Sequence, residues 1–274
     1  MENLYKKLLD ATLDTVKNKK IIMFLTGAGI SKSAGIPTFR DEDDGVWTIG
    51  SENYRPELTG TLGYFKGKPL DVWNWTLNFK RLCDAAQPTL SHHCIFEIEQ
   101  LYTNNIAVVS QNIDGLDKRT GTKNVYEIHG NLNECRCVND CTGLRFPYPV
   151  PTGENSNYRF EDLLCPACEK ALVRPHTMYF DEKYNERFYH MDTVLKLAKK
   201  TGLIITIGTS GLTNLPLWII KNALEKGAWL VNVDVKENDL SDRTKKLKKG
   251  LFLNMSSDEF LSGYLLDLKK VQVN

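Results

Sequence analysis

Six short, nearly continuous apolar runs, separated by longer stretches of helical periodicity, constrain the fold of this chain more than any other feature. The runs are rich in β-branched residues, as are strands whose two faces are both covered by helices. Their alternation with helices predicts an α/β fold built on a doubly wound parallel sheet. The predicted strands cover residues 21–26, 106–110, 125–128, 203–207, 229–234 and 251–254.

Helical periodicity accounts for much of the chain between these strands. An amphipathic helix is predicted near the N-terminus, and further helices are predicted over residues 91–102, 185–199 and 215–225. Two stretches depart from the alternation. Residues 41–103 contain several aromatic residues but no convincing strand, which predicts a helical insertion. Residues 133–172 are rich in Cys, Pro, Gly and Asn, which predicts a second insertion held together by something other than an apolar core.

Charge and hydropathy exclude several classes of protein. The 274 residues include 35 Lys and Arg against 34 Asp and Glu, a formal net charge of +1, so we expect no direct binding to nucleic acid. No apolar run reaches the ~18 residues that a membrane span needs. The N-terminal segment lacks the apolar stretch and the small-residue cleavage site of a secretory signal. We therefore expect a cytoplasmic protein that does not bind membranes.

Seven cysteines are present, and five of them lie between Cys135 and Cys168. Such clustering in a cytoplasmic chain favours a metal site over disulfide bonds. One C-x3-C pair and one C-x2-C pair together offer four thiolates, the usual tetrahedral ligand set of a structural Zn²⁺. The predicted ligands are Cys137, Cys141, Cys165 and Cys168. Cys135 forms an alternative C-x-C pair with Cys137 and is predicted to be the spare thiol.

Glycines follow the first predicted strand in the motif TGAGIS. Gly27 and Gly29, with Ala28 between them, let the backbone turn sharply and approach a ligand closely. Amides at the start of the following helix can then bind a diphosphate. A simple strand-to-helix turn fits the motif about as well, because Lys32 replaces the third glycine of the usual dinucleotide fingerprint. The next motif, GIPTFR, adds Arg40, a rigid cation suited to phosphate.

Polar side chains also follow the second and third predicted strands. The motif SQNIDGL supplies Gln111, Asn112 and Asp114, although a turn would tolerate the same residues. His129 ends the third strand. A lone histidine is more often structural than catalytic, but its place beside other polar strand ends favours a catalytic role.

Two later strand ends repeat this pattern. The motif GTS at residues 208–210 and the amide of Asn232 offer groups that can hydrogen-bond the hydroxyls of a ribose. Because the carboxyl ends of parallel strands lie at one edge of a sheet, the repetition predicts a dinucleotide groove at that edge.

In this order, the motifs resemble those of the sirtuin family, the NAD-dependent protein deacylases. The matching pieces are GAGIS, GIPTFR, QNIDGL, HG, the two cysteine pairs, RPH-x3-F, GTS and VN. The resemblance implies a large Rossmann-like NAD-binding domain of residues 1–40, 104–132 and 173–274. The insertions at 41–103 and 133–172 would form a smaller helical and zinc-binding domain, with NAD and an acylated peptide in the cleft between the two.

Carried over by position, the resemblance implies a role for each matching residue. The catalytic residues would be His129, as the general base, with Asn112 and Asp114. The NAD-binding residues would be Gly27, Ala28, Gly29, Ile36, Phe39, Arg40, Gln111, Asn112, Ile113, Asp114, Gly208, Thr209, Ser210 and Asn232. Phe180 would lie in the strand that pairs with the peptide.

The implied reaction removes an acyl group from a protein lysine. Asp114 would hold the carboxamide while nicotinamide leaves and the acyl oxygen captures the ribose carbon. His129, with an ordinary pKa of about 6.5, would then help to deprotonate a ribose hydroxyl, which attacks the acyl carbon. The products would be nicotinamide, free lysine and O-acyl-ADP-ribose. The zinc ion would be structural, since four thiolates leave no open position.

The chain departs from the family pattern on the substrate side. Asp181 replaces the glycine of the family's FGE motif, which adds a charge near the peptide. Sirtuins that act on acidic acyl groups carry a Tyr-x2-Arg pair where this chain has Thr76 and Phe79, so an acetyl or other neutral acyl group is expected.

Other functions remain open from the sequence. The altered peptide strand slightly favours a protein mono-ADP-ribosyltransferase or an NAD glycohydrolase, whereas His129 favours deacylation. A non-catalytic NAD- or ADP-ribose-binding module would not need His129, Asn112 and Asp114 together. A Rossmann dehydrogenase is disfavoured by the missing third glycine. The protein substrate and the oligomeric state are left open.

Overall fold

Two sheets organise the part of the chain that the computed structural model describes, namely residues 2–38, 59–143, 146, 148–150, 158–209 and 213–273. The strands are β1 (Ile21–Thr26), β2 (Ile106–Ser110), β3 (Val125–Glu127), β4 (Gly130–Cys137), β5 (Tyr148–Pro149), β6 (Val173–Thr177), β7 (Thr201–Ile207), β8 (Trp229–Asp234) and β9 (Gly250–Asn254). Six of them form a parallel sheet in the order β3-β2-β1-β7-β8-β9, and the other three form an antiparallel sheet in the order β5-β4-β6.

Helices fill the connections between the strands. They are α1 (Glu2–Lys17), α2 (Leu62–Gly67), α3 (Pro69–Ala85), α4 (Leu90–Leu101), α5 (Leu116–Arg119), α6 (Glu186–Tyr189), α7 (Met191–Ala198), α8 (Asn214–Glu225), α9 (Asp239–Lys245) and α10 (Ser257–Val273), with 3₁₀ turns at Ala28–Ala34 and Phe160–Leu163. Helix α4 begins where the Thr89 hydroxyl accepts a hydrogen bond from the His92 amide, a capping arrangement that satisfies a free N–H group.

Both faces of the large sheet are buried. Alternate residues of β1 point in opposite directions, so Ile22 and Phe24 pack with helices α1, α4 and α10, whereas Met23 and Leu25 pack with α7, α8 and α9. All four side chains are fully buried. This two-sided burial is the reason that the strands appear in the sequence as continuous apolar runs, and it confirms the predicted doubly wound sheet.

The order of the strands reverses between β1 and β7. The chain passes from β1 to β2 and β3 on one side, and from β7 to β8 and β9 on the other. Connections therefore leave β1 and β7 in opposite directions and open a crevice at their carboxyl ends, the usual place for a ligand in such sheets.

The small sheet has an apolar core of its own, contrary to the expectation for residues 133–172. Trp73 of α3 is fully buried against it, and its indole N–H donates to the carbonyl oxygen of Val173 at 3.0 Å. Phe65 and Leu163 are buried in the same cluster. Strands β4 and β6 are not among the predicted strands, because their buried residues include polar ones whose partners lie far away in the chain.

The helix predicted over residues 185–199 is divided. His190 adopts a left-handed conformation, with φ of 53°, and separates α6 from α7. The other predicted helices and all six predicted strands agree with the structure to within two residues. None of the helices in the described residues is long and apolar enough to span a membrane.

The division into domains stays a prediction. Strand β4 runs across the boundary placed at residue 132, and β6, which belongs to the small sheet, starts at Val173. Helix α4 falls within the range assigned to the helical insertion, although it packs on the large sheet.

Candidate active site and metal centre

Four cysteine thiols converge at the end of the small sheet. The sulfur atoms of Cys137, Cys141, Cys165 and Cys168 all lie within 4.8 Å of one another. The Sγ–Sγ distances are 3.9 Å for Cys137 and Cys168 and 3.5 Å for Cys141 and Cys165. A tetrahedral Zn²⁺ with Zn–S bonds of about 2.3 Å requires sulfur separations of about 3.8 Å. The cluster therefore fits one structural zinc ion with no open ligand position.

Backbone donors around this cluster favour the thiolate form, although burial raises the pKa of the Cys137 and Cys165 thiols. Amide N–H groups of Lys170 and Ala171 donate to the Cys168 sulfur and lower the pKa of its thiol to about 7. Cys135 lies outside the cluster, and its thiol donates to the carbonyl oxygen of Pro149 at 3.3 Å. The structure thus brings together the four predicted ligands and leaves the predicted spare cysteine aside.

The crevice between the carboxyl ends of β1 and β7 is lined by the backbone of glycine residues. The Gly27 amide donates to the carbonyl oxygen of Ile207 at 2.9 Å, and the Gly29 amide donates to that of Gly208 at 3.1 Å. A Cβ atom on Gly29 would lie 2.6 Å from the Gly208 Cα atom, closer than any side chain tolerates. Glycine is therefore needed where the turns after β1 and β7 touch, and the neighbouring Ala28 lies at the mouth of the crevice.

A buried hydrogen-bond network lies beside this crevice. The Asn112 side-chain amide donates to the carbonyl oxygen of Gly27 at 3.1 Å. The Ser31 hydroxyl donates to an Asp114 carboxylate oxygen at 2.8 Å, and the Leu116 amide donates to the other oxygen at 2.9 Å. Burial raises the pKa of Asp114, while these two donors oppose the shift.

This network forms one wall of a small pocket that is open to solvent. Predicted cofactor residues that line the pocket are Ala28, Ile36, Asn112, Ile113 and Asp114. Ser31 and Phe79 line it as well, although the sequence analysis did not select them as cofactor residues. Apolar walls beside a carboxylate and an amide are the kind of lining that a ring bearing a carboxamide group requires.

Gln111 connects the ends of β2 and β7. Its side-chain amide donates to the Thr26 carbonyl oxygen at 3.2 Å and to the Thr209 hydroxyl at 2.8 Å. Its side-chain oxygen accepts a hydrogen bond from the Thr213 hydroxyl at 3.3 Å. Residues predicted from two separate strand ends, Gln111 and Thr209, therefore meet at the same edge of the sheet.

His129 lies at this edge, two residues after the end of β3. Its Nδ1 atom lies 2.9 Å from the Gln111 carbonyl oxygen, and its Nε2 atom lies 2.9 Å from the hydroxyl of Tyr184. Burial lowers the pKa of the imidazole to about 4, below the ordinary value of about 6.5 on which the sequence analysis relied. The ring is therefore neutral throughout the neutral pH range.

The backbone fixes the position of His129. The Met178 amide donates to the His129 carbonyl oxygen at 2.8 Å. The next residue, Gly130, has φ of +87°, and a Cβ atom there would lie 1.9 Å from the carbonyl oxygen of His176. The HG pair thus joins the edge of the large sheet to the first residue of the small sheet, which is possible only with glycine.

Beneath the site, Asp117 is a buried carboxyl group that the sequence analysis did not select. The Ser110 hydroxyl donates to the Asp117 carboxylate at 2.7 Å. The same hydroxyl oxygen accepts hydrogen bonds from the Thr26 hydroxyl and from the backbone amide of Asn112, both at 3.3 Å. Burial raises the pKa of Asp117 to about 6, although the Ser110 hydroxyl opposes the shift.

The remaining predicted site residues lie apart or outside the described residues. Asn232 is fully buried inside β8, where its oxygen accepts from the Thr206 hydroxyl at 3.1 Å and its side-chain nitrogen has no hydrogen-bond partner among the described residues. Phe39, Arg40 and Ser210 lie outside the described residues. Tyr184, which touches His129, was missed because it belongs to no motif.

Comparisons with known proteins agree on one family. The sequence matches the model of the Sir2 family over residues 27–214. NAD-dependent protein deacylase 1 of Caldanaerobacter subterraneus subsp. tengcongensis is 34% identical over 248 residues, which are 90% of this chain and 93% of the relative. The NAD-dependent protein deacylase of Aquifex aeolicus is 33% identical over 80% of this chain and 85% of the relative.

Solved structures of Sir2 homologues are similar to this fold. The crystal structure of a Sir2 homologue in complex with NAD has a TM-score of 0.78 at 26% identity, covering 96% of this chain and 94% of that chain. A Sir2 homologue mutant in complex with 2'-O-acetyl-ADP-ribose has a TM-score of 0.75 at 26% identity, covering 94% and 96%. The glycine turns, the pocket with its carboxylate and amide, and the four-cysteine cluster described above fit NAD and one structural zinc ion.

The ligand assignment at the metal centre can be tested with a matched pair of variants. Cys165→Ser removes one of four thiolates, so we expect loss of bound zinc and unfolding of the small sheet at a lower temperature. Cys135→Ser should retain one zinc ion per chain. Metal analysis and thermal unfolding of both proteins provide the measurement. Stoichiometric zinc in Cys165→Ser would contradict the assignment.

The buried carboxyl of Asp117 should make stability depend on pH. Its pKa is higher in the folded than in the unfolded chain, so its stabilisation is present at low pH and is lost as the pH rises through about 6. The free energy of unfolding of Asp117→Asn, relative to the wild type, should therefore increase by about 1–2 kcal/mol between about pH 5 and pH 8. Urea unfolding at the two pH values measures this difference. Asp10→Asn, at an exposed site on α1, is the control and should show no such change.

Proposed function

The chain belongs to the Sir2 family, and on that premise we propose that it removes acyl groups from protein lysines in an NAD-dependent reaction. The products of this reaction are the free lysine, nicotinamide and O-acyl-ADP-ribose. Curated relatives named NAD-dependent protein deacylases cover most of the chain and support the assignment.

One observation carries the proposal: a neutral histidine stands at the same sheet edge as a pocket lined by an amide and a carboxylate. The Gln111 carbonyl oxygen accepts the hydrogen bond from His129 Nδ1, so the Nε2 atom is the one that can accept a proton. Asn112 and Asp114 line the pocket on the other side of Gln111. A general base and a carboxamide-binding pocket are the two groups that a deacylase of this kind needs.

Each side chain has a proposed task. When bound, NAD supplies the ribose carbon that accepts the acyl oxygen and the hydroxyl that attacks the acyl carbon. Asp114, held by Ser31 and the Leu116 amide, orients the carboxamide. Asn112 is fixed by the Gly27 carbonyl oxygen and closes the pocket. His129 takes the proton from the ribose hydroxyl at Nε2, which is possible because the ring is neutral.

The remaining cofactor contacts follow from the family match. We propose that Gly27, Ala28 and Gly29, together with Arg40, bind the phosphates, and that Gln111 contacts the nicotinamide ribose. Ile36, Phe39 and Ile113 would enclose the nicotinamide ring. The adenosine side is assigned to Gly208, Thr209, Ser210 and Asn232.

An acylated peptide is the proposed partner. Phe180 lies in a turn after β6 and not in a strand, contrary to the expectation from the sequence; it is 62% exposed, and its backbone amide donates to the carbonyl oxygen of Gly60 at 2.9 Å. The exposed side of this segment is the proposed place for the peptide. The helical residues around Trp73 pack on the small sheet, which supports the proposed division into a large NAD-binding domain and a small domain.

ADP-ribosyl transfer, the alternative, depended on the charge of Asp181 near the peptide. The carboxylate of Asp181 accepts hydrogen bonds from the amides of Leu62 at 2.7 Å and Gly63 at 3.3 Å. These contacts satisfy the first turn of α2, so the charge has a structural partner. The observation that favoured transfer therefore has another explanation, and deacylation is the function that we propose.

A cytoplasmic location is part of the proposal. All seven cysteines are free thiols, and four of them form the metal cluster. Thiolate clusters of this kind persist in reducing compartments.

The roles of His129 and Asp114 can be separated by two assays on folded variants. Exchange of labelled nicotinamide into NAD, with acyl-peptide present, reports the first step, and formation of O-acyl-ADP-ribose reports the whole reaction. His129→Ala should retain exchange, while deacylation falls by at least ~10²-fold, the usual effect of losing a positioned base. Asp114→Ala should lose both activities.

Three results would contradict these roles. Deacylation by His129→Ala near the wild-type rate would show that His129 is not the base. Equal loss of exchange and deacylation would mean that His129 supports cofactor binding instead. Nicotinamide release with a modified protein, but without O-acyl-ADP-ribose, would favour the transferase.

Neutral acyl groups should react faster than acidic ones. Thr76 and Phe79 are both 2% exposed and carry no charge. Among the described residues next to them, Lys80 is paired with Asp84 and hydrogen-bonded to Asn133. A succinyl carboxylate would therefore find no bidentate partner at these two positions, and kcat/KM for succinyl-peptide should be at least about tenfold below that for acetyl-peptide. Peptides of one sequence with either group provide the measurement, and faster reaction of the succinyl-peptide would refute the expectation.

A further inference from the structure

Tyr184 makes the most direct contact with the proposed base. It lies between β6 and α6, on the same segment as Phe180, and it is half-buried. Its hydroxyl lies 2.9 Å from His129 Nε2, and the two rings are 6.0 Å apart between centroids. No step of the proposed reaction uses this residue.

The direction of this hydrogen bond follows from the other side of the imidazole. The Gln111 carbonyl oxygen, 2.9 Å from Nδ1, can only accept, so Nδ1 carries the proton of the neutral ring. Nε2 then presents its lone pair, and the Tyr184 hydroxyl donates to it. Burial raises the pKa of Tyr184 to about 12, so the phenol keeps its proton at neutral pH. The single site at which His129 can accept a proton is therefore occupied by Tyr184.

The position of Tyr184 is set by both sides of the cleft. Its hydroxyl oxygen also lies within hydrogen-bond reach of the Thr213 side chain, whose single hydroxyl proton can be donated either to Tyr184 or to the Gln111 side-chain oxygen 3.3 Å away. On its own segment, Glu182 is held by two bonds from Arg174, at 2.7 and 2.9 Å. Tyr184 thus connects the segment proposed for peptide binding with the base and with the residues that follow β7.

We propose that Tyr184 is a positioning residue whose hydroxyl occupies the lone pair of His129 until the ribose hydroxyl of the substrate replaces it. The inference rests on the proposed deacylase function. In the step concerned, the O–H bond of the ribose hydroxyl breaks and an N–H bond forms at Nε2, while Tyr184 rotates away and retains its own proton. Without acyl-peptide, the covered base is not available to activate water, which limits wasteful hydrolysis of NAD.

The charged groups around Tyr184 and His129 do not account for the lowered pKa of His129. Glu182 is neutralised by Arg174 and Arg136, at 2.7 Å from each guanidinium. Tyr189 of α6, whose ring centroid lies 6.2 Å from that of Tyr184, is kept neutral because burial raises its pKa to about 12. The lowered pKa of His129 arises from its enclosure, with the Gln111 carbonyl opposing it. A hydrogen bond that stabilises the neutral ring therefore acts in the same direction as burial.

The test is Tyr184→Phe, which removes the hydroxyl and retains the ring. Tyr126→Phe is the matched control, because Tyr126 lies on β3 near His129 but packs against His190. The ¹⁵N spectrum of labelled histidine near neutral pH reads the His129 Nε2 atom in the ligand-free protein. In Tyr184→Phe this resonance should move toward that of a free, unprotonated imidazole nitrogen, and in Tyr126→Phe it should not move.

Activity provides the second readout. Hydrolysis of NAD without peptide should rise about 2- to 10-fold in Tyr184→Phe, the effect of one net hydrogen bond. The acidic side of the pH–rate profile for this hydrolysis should move to higher pH. The pKa of His129 rises because its neutral ring has lost a hydrogen-bond donor. An unchanged Nε2 resonance would overturn the proposal, and so would a shifted resonance without a rise in peptide-free hydrolysis. If the wild type forms no O-acyl-ADP-ribose, the proposed function fails, whereas the Nε2 resonance still decides whether Tyr184 occupies the base.

Discussion

The contact between two bare stretches of backbone, Gly27–Gly29 after β1 and Gly208 after β7, is the constraint on which the rest of the site depends. A doubly wound sheet opens a crevice only where the strand order reverses, and these turns lie at that point. Their close approach places the turn after β1 directly against Gly208 and Thr209. The turn after β1 also anchors Asn112, whose side-chain amide donates to the Gly27 carbonyl oxygen.

Around this contact the site is stiffened by buried hydrogen bonds. Ser31 joins Asn112 to Asp114, and Ser110 joins Asn112 to Asp117 beneath it. Such bonds are strong in a low-dielectric interior, and each partner would be costly to leave unpaired. The same burial that raises the pKa of the carboxyl groups lowers that of His129, so a single physical cause prepares both the pocket and the base.

In the small sheet, polar residues are buried in the core because they pair with residues from distant parts of the chain. Strand β6 contains Arg174 and His176, both buried, and the sequence therefore gives no apolar run there. The guanidinium of Arg174 binds the Glu182 carboxylate through two hydrogen bonds and lies 3.7 Å from the Tyr179 ring centroid. A buried charge is tolerated when it is paired in this way, but the pairing is visible only after folding.

The sequence by itself determined the six strands, the four-cysteine cluster and the polar strand ends, because each depends on local composition or spacing: two-sided burial, C-x3-C and C-x2-C pairs, and motifs directly after strands. Only the tertiary structure decided which strand ends meet, that His129 is neutral well below pH 7, and that Tyr184 covers its lone pair. Tyr184 belongs to no motif, and 55 residues separate it from His129. A contact of this kind is set by the packing of the two sheets, and no periodicity in the chain encodes it.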